Sequence, residues 1–193
     1  MPMANLTKKA LAASVTRLLE KEPLDKITIK DITDECGVTR NTFYYHFQDI
    51  YDLCSWIFIE QAEEILNTYK DQTSWEEGFL AGLNYLYENK RMIYHVYESI
   101  SKSELDRYLY RVVEKYALEL VDIGAKGLKV SKEAREVVAD FYKNAFVGRV
   151  LQWIDEDMNT EPERLAALCD SIFHGTVREA LQSANTVLEN WEN

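Results

Sequence analysis

Glycine and proline are scarce, at 7 and 3 of 193 residues. With few breakers and many good helix formers, the chain is expected to build long helices, not strands and tight turns. No run approaches the roughly 20 apolar residues that span a bilayer. No apolar signal-peptide core follows the N-terminus, so a cytoplasmic location is expected with no membrane partner. Only three cysteines are present, Cys36, Cys54 and Cys169. They are odd in number and far apart, which suits reduced, mostly buried thiols and not a disulfide framework. His46, His95 and His174 lie equally far apart, so no metal site is expected. The chain also lacks a glycine-rich phosphate cradle and a nucleophile elbow. Glu63 with Glu64, and Glu98 with His95, read better as solvated helix faces than as acid–base pairs. The protein is not expected to be an enzyme or to carry a cofactor.

What is there is an ordinary globular composition, 47% hydrophobic and 28% charged. The net charge of −11 argues against nucleic acid until its distribution is read. Residues 1–47 hold seven Lys and Arg against six acids and net +1, so the acidity belongs to the rest of the chain, which nets −12. A nearly neutral segment on an acidic body can still set a few cations at a phosphate surface.

Periodicity and capping residues predict an all-α chain of nine helices. The first runs from Thr7 to Glu20, with Leu11, Val15, Leu18 and Leu19 at helical spacing, and Pro23 closes it. Thr28 and Asp31 form a capping box ahead of a helix to Cys36. Gly37 supplies a turn at positive φ, Val38 a buried plug, and Thr39 the cap of a helix from Arg40 to Phe47. Asp49 caps a long fourth helix, to about Lys70. Ser74 with Glu77, and Ser103 with Asp106, read as further capping boxes. Gly124 and Gly127 mark a helix end and a loop, Ser131 opens the eighth helix, and Thr160 with Pro162 starts the last. The expected division is a helix-turn-helix domain over 1–48 and a helical regulatory and dimerisation domain over 49–193.

The segment from Ile27 to Phe47, ITIKDITDECGVTRNTFYYHF, carries the information. Two short helices about a glycine turn, packed through their apolar positions, make a helix-turn-helix. The second helix leaves a polar and aromatic face: Arg40, Asn41, Thr42, Tyr44, Tyr45 and His46. A helix of that length fits the major groove. Arg40 and Asn41 can donate to base edges, and Thr42 can meet a base or a thymine methyl. Tyr44, Tyr45 and His46 can bond phosphate oxygens. The helix N-termini at Thr28 and Thr39 offer amides to phosphate.

Thr39-Arg40-Asn41-Thr42-Phe43-Tyr44-Tyr45-His46-Phe47 resembles the recognition helix of the TetR family of transcriptional regulators. The resemblance is specific over roughly Asn5 to Asp52. It implies a DNA-binding head followed by a variable body that takes an effector. It also implies that Thr28 and Thr39 act as backbone-contacting caps, Arg40, Asn41 and Thr42 as base readers, and Tyr44, Tyr45 and His46 as phosphate or base contacts. One position departs: where the family commonly has a Lys gripping phosphate at the start of the fourth helix, this chain has Ile50.

The body is rich in Tyr and Trp, and with His95 and His174 these polar-tipped rings suit a pocket between helices. By default such aromatics are core. The family resemblance implies an effector pocket among the middle helices, and Trp56, Tyr94, Tyr97, Tyr108 and Phe146 are its expected neighbours. The last two long helices are expected to form the dimer element, with Phe141, Ala145, Gly148 and Leu151 on one and Leu168, Ile172 and Gly175 on the other. The two glycines allow close helix approach. The stretch from Asn144 to Ile154, NAFVGRVLQWI, resembles a branch of the family that includes activators of dihydroxyacetone kinase operons, which respond to a protein coactivator. The expected function is a homodimeric regulator of double-stranded DNA, first a repressor released by an unknown small-molecule effector. The alternatives are an activator working with a coactivator protein, and a helical adaptor that has lost DNA binding.

Overall fold

The computed structural model describes residues 2–69, 75–97 and 102–192, with the side chains of 2–4, 66, 69, 102–108, 112, 115, 116 and 192 outside that description. The described residues form nine α-helices and no strand: α1 Pro2–Leu19, α2 Ile29–Cys36, α3 Arg40–His46, α4 Ile50–Tyr69, α5 Trp75–Glu88, α6 Lys90–Tyr97, α7 Lys102–Ala125, α8 Lys132–Asp155 and α9 Pro162–Glu192. Among the described residues no helix is long and apolar enough to cross a membrane.

Local chemistry explains most boundaries. The Thr28 side chain accepts from the Asp31 amide while the Asp31 carboxylate accepts from the Thr28 amide, a reciprocal box at the start of α2. Gly37 ends α2 at φ +73°, a conformation that costs a side-chain-bearing residue more than glycine. Thr39 caps α3 by accepting from the Thr42 amide at 3.2 Å. The Asp49 carboxylate accepts from the Asp52 amide at 2.8 Å ahead of α4. Ser131 caps α8 through the Ala134 amide at 3.1 Å.

Several boundaries differ from the sequence reading. Helix α1 begins at Pro2 and not at Thr7. Proline suits a first turn, where its missing N–H has no intrahelical partner anyway. Leu24–Lys26 form a single 3-10 turn that periodicity cannot detect. Val38 is half-buried, not a sealed plug. Helix α7 runs through Gly124 to Ala125, because Gly124 lies against α9: a Cβ there would meet Val177 Cγ1 at 2.5 Å. The Arg178 guanidinium then donates to the Gly124 and Lys126 carbonyls, which closes the end of α7. Ser74, an expected cap, lies outside the described residues, and α7 begins at Lys102, so Ser103 falls within the helix and not at its cap.

The chain divides into two compact units, Met1–Glu64 with Glu88–Leu105, and Ile65–Tyr87 with Asp106–Asn193. The first unit therefore takes in most of α4 and the whole of α6, beyond the 1–48 segment of the sequence reading. Its core is built by Leu11, Val15 and Leu19 of α1, Ile32 of α2, Phe43 and Phe47 around α3, and Leu53 and Cys54 of α4. Met92, Ile93 and Val96 of α6 are buried as well, and His95 donates from Nδ1 to the Leu19 carbonyl at 2.6 Å. That carbonyl ends α1, where intrahelical donors run out.

The second unit is held by α8 against α9. Phe146 and Phe173 pack tilted with centroids 4.2 Å apart, and Trp75, Phe79 and Tyr142 complete an aromatic core. The Tyr142 hydroxyl and Thr176 Oγ1 are hydrogen-bonded at 2.8 Å, and Trp153 Nε1 donates to the Thr160 carbonyl at 2.8 Å.

Candidate nucleic-acid interface

Helix α3 is two-sided. Phe43, and Phe47 at its end, are buried and anchor it; Phe43 packs tilted against Phe47 and edge-on against Tyr44. Everything else on it points outward or lies at the rim: Arg40, Asn41, Tyr44 and Tyr45 are exposed, and Thr42 and His46 are half-buried. Tyr45 is 82% exposed, a poor place for a large ring unless something covers it. The Tyr45 and His46 rings meet edge to face at 5.0 Å, which orients both polar tips. Thr42 Oγ1 is hydrogen-bonded to Thr39 Oγ1 at 3.0 Å, so these two hydroxyls are tied together at the start of α3. Thr28 is exposed at the start of α2. The structure thus brings the eight expected DNA-facing residues onto the α2–α3 pair, at its two helix N-termini and along the outer face of α3.

Charge in this unit is less available than the count suggests. Arg17 pairs with Glu35 at 2.6 Å, Lys30 with Asp34 at 2.7 Å and Lys26 with Asp25 at 3.6 Å. Hydrogen bonds from Thr28, first from its hydroxyl, hold the Asp31 carboxyl below its ordinary range. The Asp34 hydrogen bond and charge push Lys30 up. The α4 thiol is inert as a nucleophile: burial first, then the Asp49 charge, pushes Cys54 up to about 12. Among the described residues no three His, Cys, Asp or Glu side chains gather into a metal-binding group.

The residues expected at a dimer contact share a different property. Phe141, Ala145 and Gly148 are exposed on α8, joined by exposed Val137, at spacings of four, four and three; Leu151 is half-buried. Leu168, Ile172 and Gly175 are exposed on α9, again four and three apart. Phe141 is 71% exposed and Ile172 60%. Nothing lies within 4 Å of a Cβ added at Gly148 or Gly175. The opposite side of α8 buries Val138, Tyr142, Phe146, Val150 and Trp153, so this helix is apolar on two faces, one covered and one open.

Two family profiles match the chain. One, described as bacterial regulatory proteins of the tetR family, matches residues 11–55, and the other, described as a transcriptional regulator C-terminal region, matches residues 73–175. The chain belongs to the TetR family of transcriptional regulators. It is 32% identical over 90 residues to the HTH-type dhaKLM operon transcriptional activator DhaS of Lactococcus lactis subsp. lactis (strain IL1403). That alignment spans about half of each protein, 47% of this chain and 48% of the relative. Among solved structures it is similar in fold to a dihydroxyacetone kinase operon activator DhaS, with TM-score 0.71 and 20% identity over 89% of this chain and 96% of the other. A TetR regulator from Streptococcus agalactiae 2603V is similar with TM-score 0.61 and 16% identity, over 89% and 96% of the two chains.

The five residues expected near an effector are divided between the two units of this TetR-family chain. Trp56, Tyr94 and Tyr97 belong to the first unit and Phe146 to the second; the Tyr108 side chain lies outside the described residues. Trp56 packs on Phe47 with centroids 5.8 Å apart, and Lys90 Nζ lies 5.7 Å from the Tyr94 ring. Phe146 is buried in the aromatic core. His174 is exposed on α9, 3.5 Å from Asp170. A shallow groove of about 350 Å³ lies elsewhere, lined by Lys129, Ser131, Asn185, Leu188 and Glu189 among others. Sequence reasoning passed over two contacts in the TetR-family head: His95 on the Leu19 carbonyl, and Lys8, whose Nζ lies 5.1 Å from the Phe47 ring and 5.4 Å from the Trp56 ring. A signal for the second existed: Lys8 falls three before Leu11 and seven before Val15, on the buried stripe of α1.

Proposed function

We propose that this chain regulates transcription by reading a near-palindromic operator as a two-fold dimer, with one α3 in each half-site. The outward face of α3 carries the reading. Arg40, Asn41 and Thr42 at its N-terminal end reach base edges, while Tyr44, Tyr45, His46 and the amides at Thr28 and Thr39 take phosphates. The open apolar stripes of α8 and α9 supply the second requirement. Pairing them across a two-fold axis makes an intermolecular four-helix bundle and covers Phe141 and Ile172. Gly148 and Gly175 let the helix backbones come close.

The sign of regulation follows the relatives. The sequence reading put repression first, yet the similar proteins named DhaS are operon activators, and that similarity moves activation ahead. An effector, whether a small molecule or a coactivator protein, acts by shifting the population between DNA-competent and DNA-incompetent forms. Repression released by a small molecule is the second reading. It rests on the family's two-part design.

Selection of duplexes from a random pool by the purified protein at moderate salt tests the DNA reading. Enrichment of a palindrome is expected. Folded, dimeric protein that enriches nothing on its own, or with a lysate of its source cells, would refute the reading and favour the adaptor. The selected site placed upstream of a reporter then separates the signs: activation raises expression above the protein-free level, and repression lowers it.

A further inference from the structure

Of the seven cations within residues 1–47, three are held by carboxylates: Arg17, Lys26 and Lys30. Lys8 is held differently. It is half-buried on the inward stripe of α1, and its ammonium lies over the rings of Phe47 and Trp56, at 5.1 and 5.4 Å from their centroids. These rings pack on each other at 5.8 Å. Phe47 is the residue that ends α3, and its ring is 6.4 Å from that of His46, which in turn meets Tyr45. A cation is therefore fixed one ring away from the exposed C-terminal end of α3. Ring faces attract an ammonium without neutralising it, whereas a carboxylate cancels its charge. An ammonium resting on two ring faces has less rotamer freedom left to lose, so pairing with an anion there costs little further ordering.

We infer that Lys8 is a DNA-contacting residue of this regulator: its ammonium, held over the rings of Phe47 and Trp56, binds a backbone phosphate beside the ones taken by Tyr45 and His46. The inference rests on the DNA reading above. Phosphate is the anion that fits, because α3 presents to it a row of hydrogen-bond donors and no carboxylate. The contact carries no sequence information, since a phosphate is the same at every base pair. It acts through counterion release.

The test measures binding to the selected duplex across a salt series for the wild type, Lys8→Met, Lys8→Arg and Lys9→Met. Methionine keeps an apolar stem against the rings and removes the charge; arginine keeps both. Lys8→Met is expected to flatten the dependence of log K on log salt by about one unit, and to lose roughly five-fold in affinity at 0.15 M salt. The loss is equal for the selected duplex and a scrambled one, and Lys8→Arg restores the slope. Thermal denaturation of each variant accompanies the series. A Lys8→Met protein that melts like the wild type and keeps the wild-type slope overturns the inference and leaves Lys8 a cover for two rings. A slope lost equally in Lys9→Met overturns it too, because the effect then belongs to head charge in general. Wild-type protein that binds no duplex overturns the DNA reading itself, an outcome visible before any variant is compared.

Discussion

Helices α3 and α8 each bury one face and expose another, and their exposed faces are opposites. On α3 the outer residues are Arg40, Asn41, Tyr44 and Tyr45, all of which carry donors. On α8 they include Val137, Phe141, Ala145 and Gly148, which carry none. A polar, aromatic face can wait in water and then exchange its hydrogen bonds for those of a phosphodiester chain. An apolar face gains nothing in water and is stabilised only by cover. The same fold thus displays two kinds of exposed surface. One offers hydrogen bonds, the other shape and apolar area.

The largest break in this comparison comes from removing what the two regions share, a buried aromatic anchor. Phe43→Ala empties the space behind α3, and chemical denaturation should show a loss of about 3–5 kcal/mol. The recognition face should lose its geometry with the core, so binding of all duplexes falls together.

Gly148→Leu separates association from folding. Nothing in the same chain lies within 4 Å of the new Cβ, and Leu is a better helix former than Gly by roughly 0.5–1 kcal/mol. The monomer should therefore be as stable or slightly more so, while sedimentation shows the dimer weakened by two orders of magnitude, about 3 kcal/mol, because close helix approach is blocked. An unperturbed dimer would move the interface off α8.

Within α3 the contrast sharpens further. Arg40→Ala should cost about 1–3 kcal/mol and relax base preference at one position of each half-site, read by competition between duplexes. Tyr44→Phe removes one hydroxyl and should weaken every duplex alike, by about 1 kcal/mol. A sequence-selective loss for Tyr44→Phe would transfer it to the base readers.

The smallest effect belongs to the Thr28–Asp31 box. Because the folded Asp31 carboxyl is held below its ordinary value of 3.8, its contribution is complete above that value and is lost as pH falls through the lowered one. In Asp31→Asn the stability profile should be flatter below about pH 4 than in the wild type, while the two chains run parallel above pH 5. Denaturation midpoints across this range check it.

Much of the head was legible from residues alone. The capping box at Thr28, the turn glycine at Gly37 and the cap at Thr39 act over three or four residues, so their partners sit beside them in the sequence. The contrast between buried Phe43 of α3 with Phe47 at its end, and the outer polar face, follows from a four-residue spacing. The body was legible only as helices. Its aromatics are core in one place and rim in another, and spacing alone does not tell Phe146, buried, from Phe141, exposed five residues earlier.

Sequence by itself determined the starts of α2, α3, α4 and α8, the turn between α2 and α3 and the chemistry displayed on α3, because each depends on contacts within a turn or two of the chain. Tertiary structure alone decided that α6 joins the first unit through His95 and the Leu19 carbonyl, 76 residues apart, and that the Lys8 ammonium lies on Phe47 and Trp56. Such contacts form only when distant segments meet, and which distant segments meet is set by the whole core and not by any local rule.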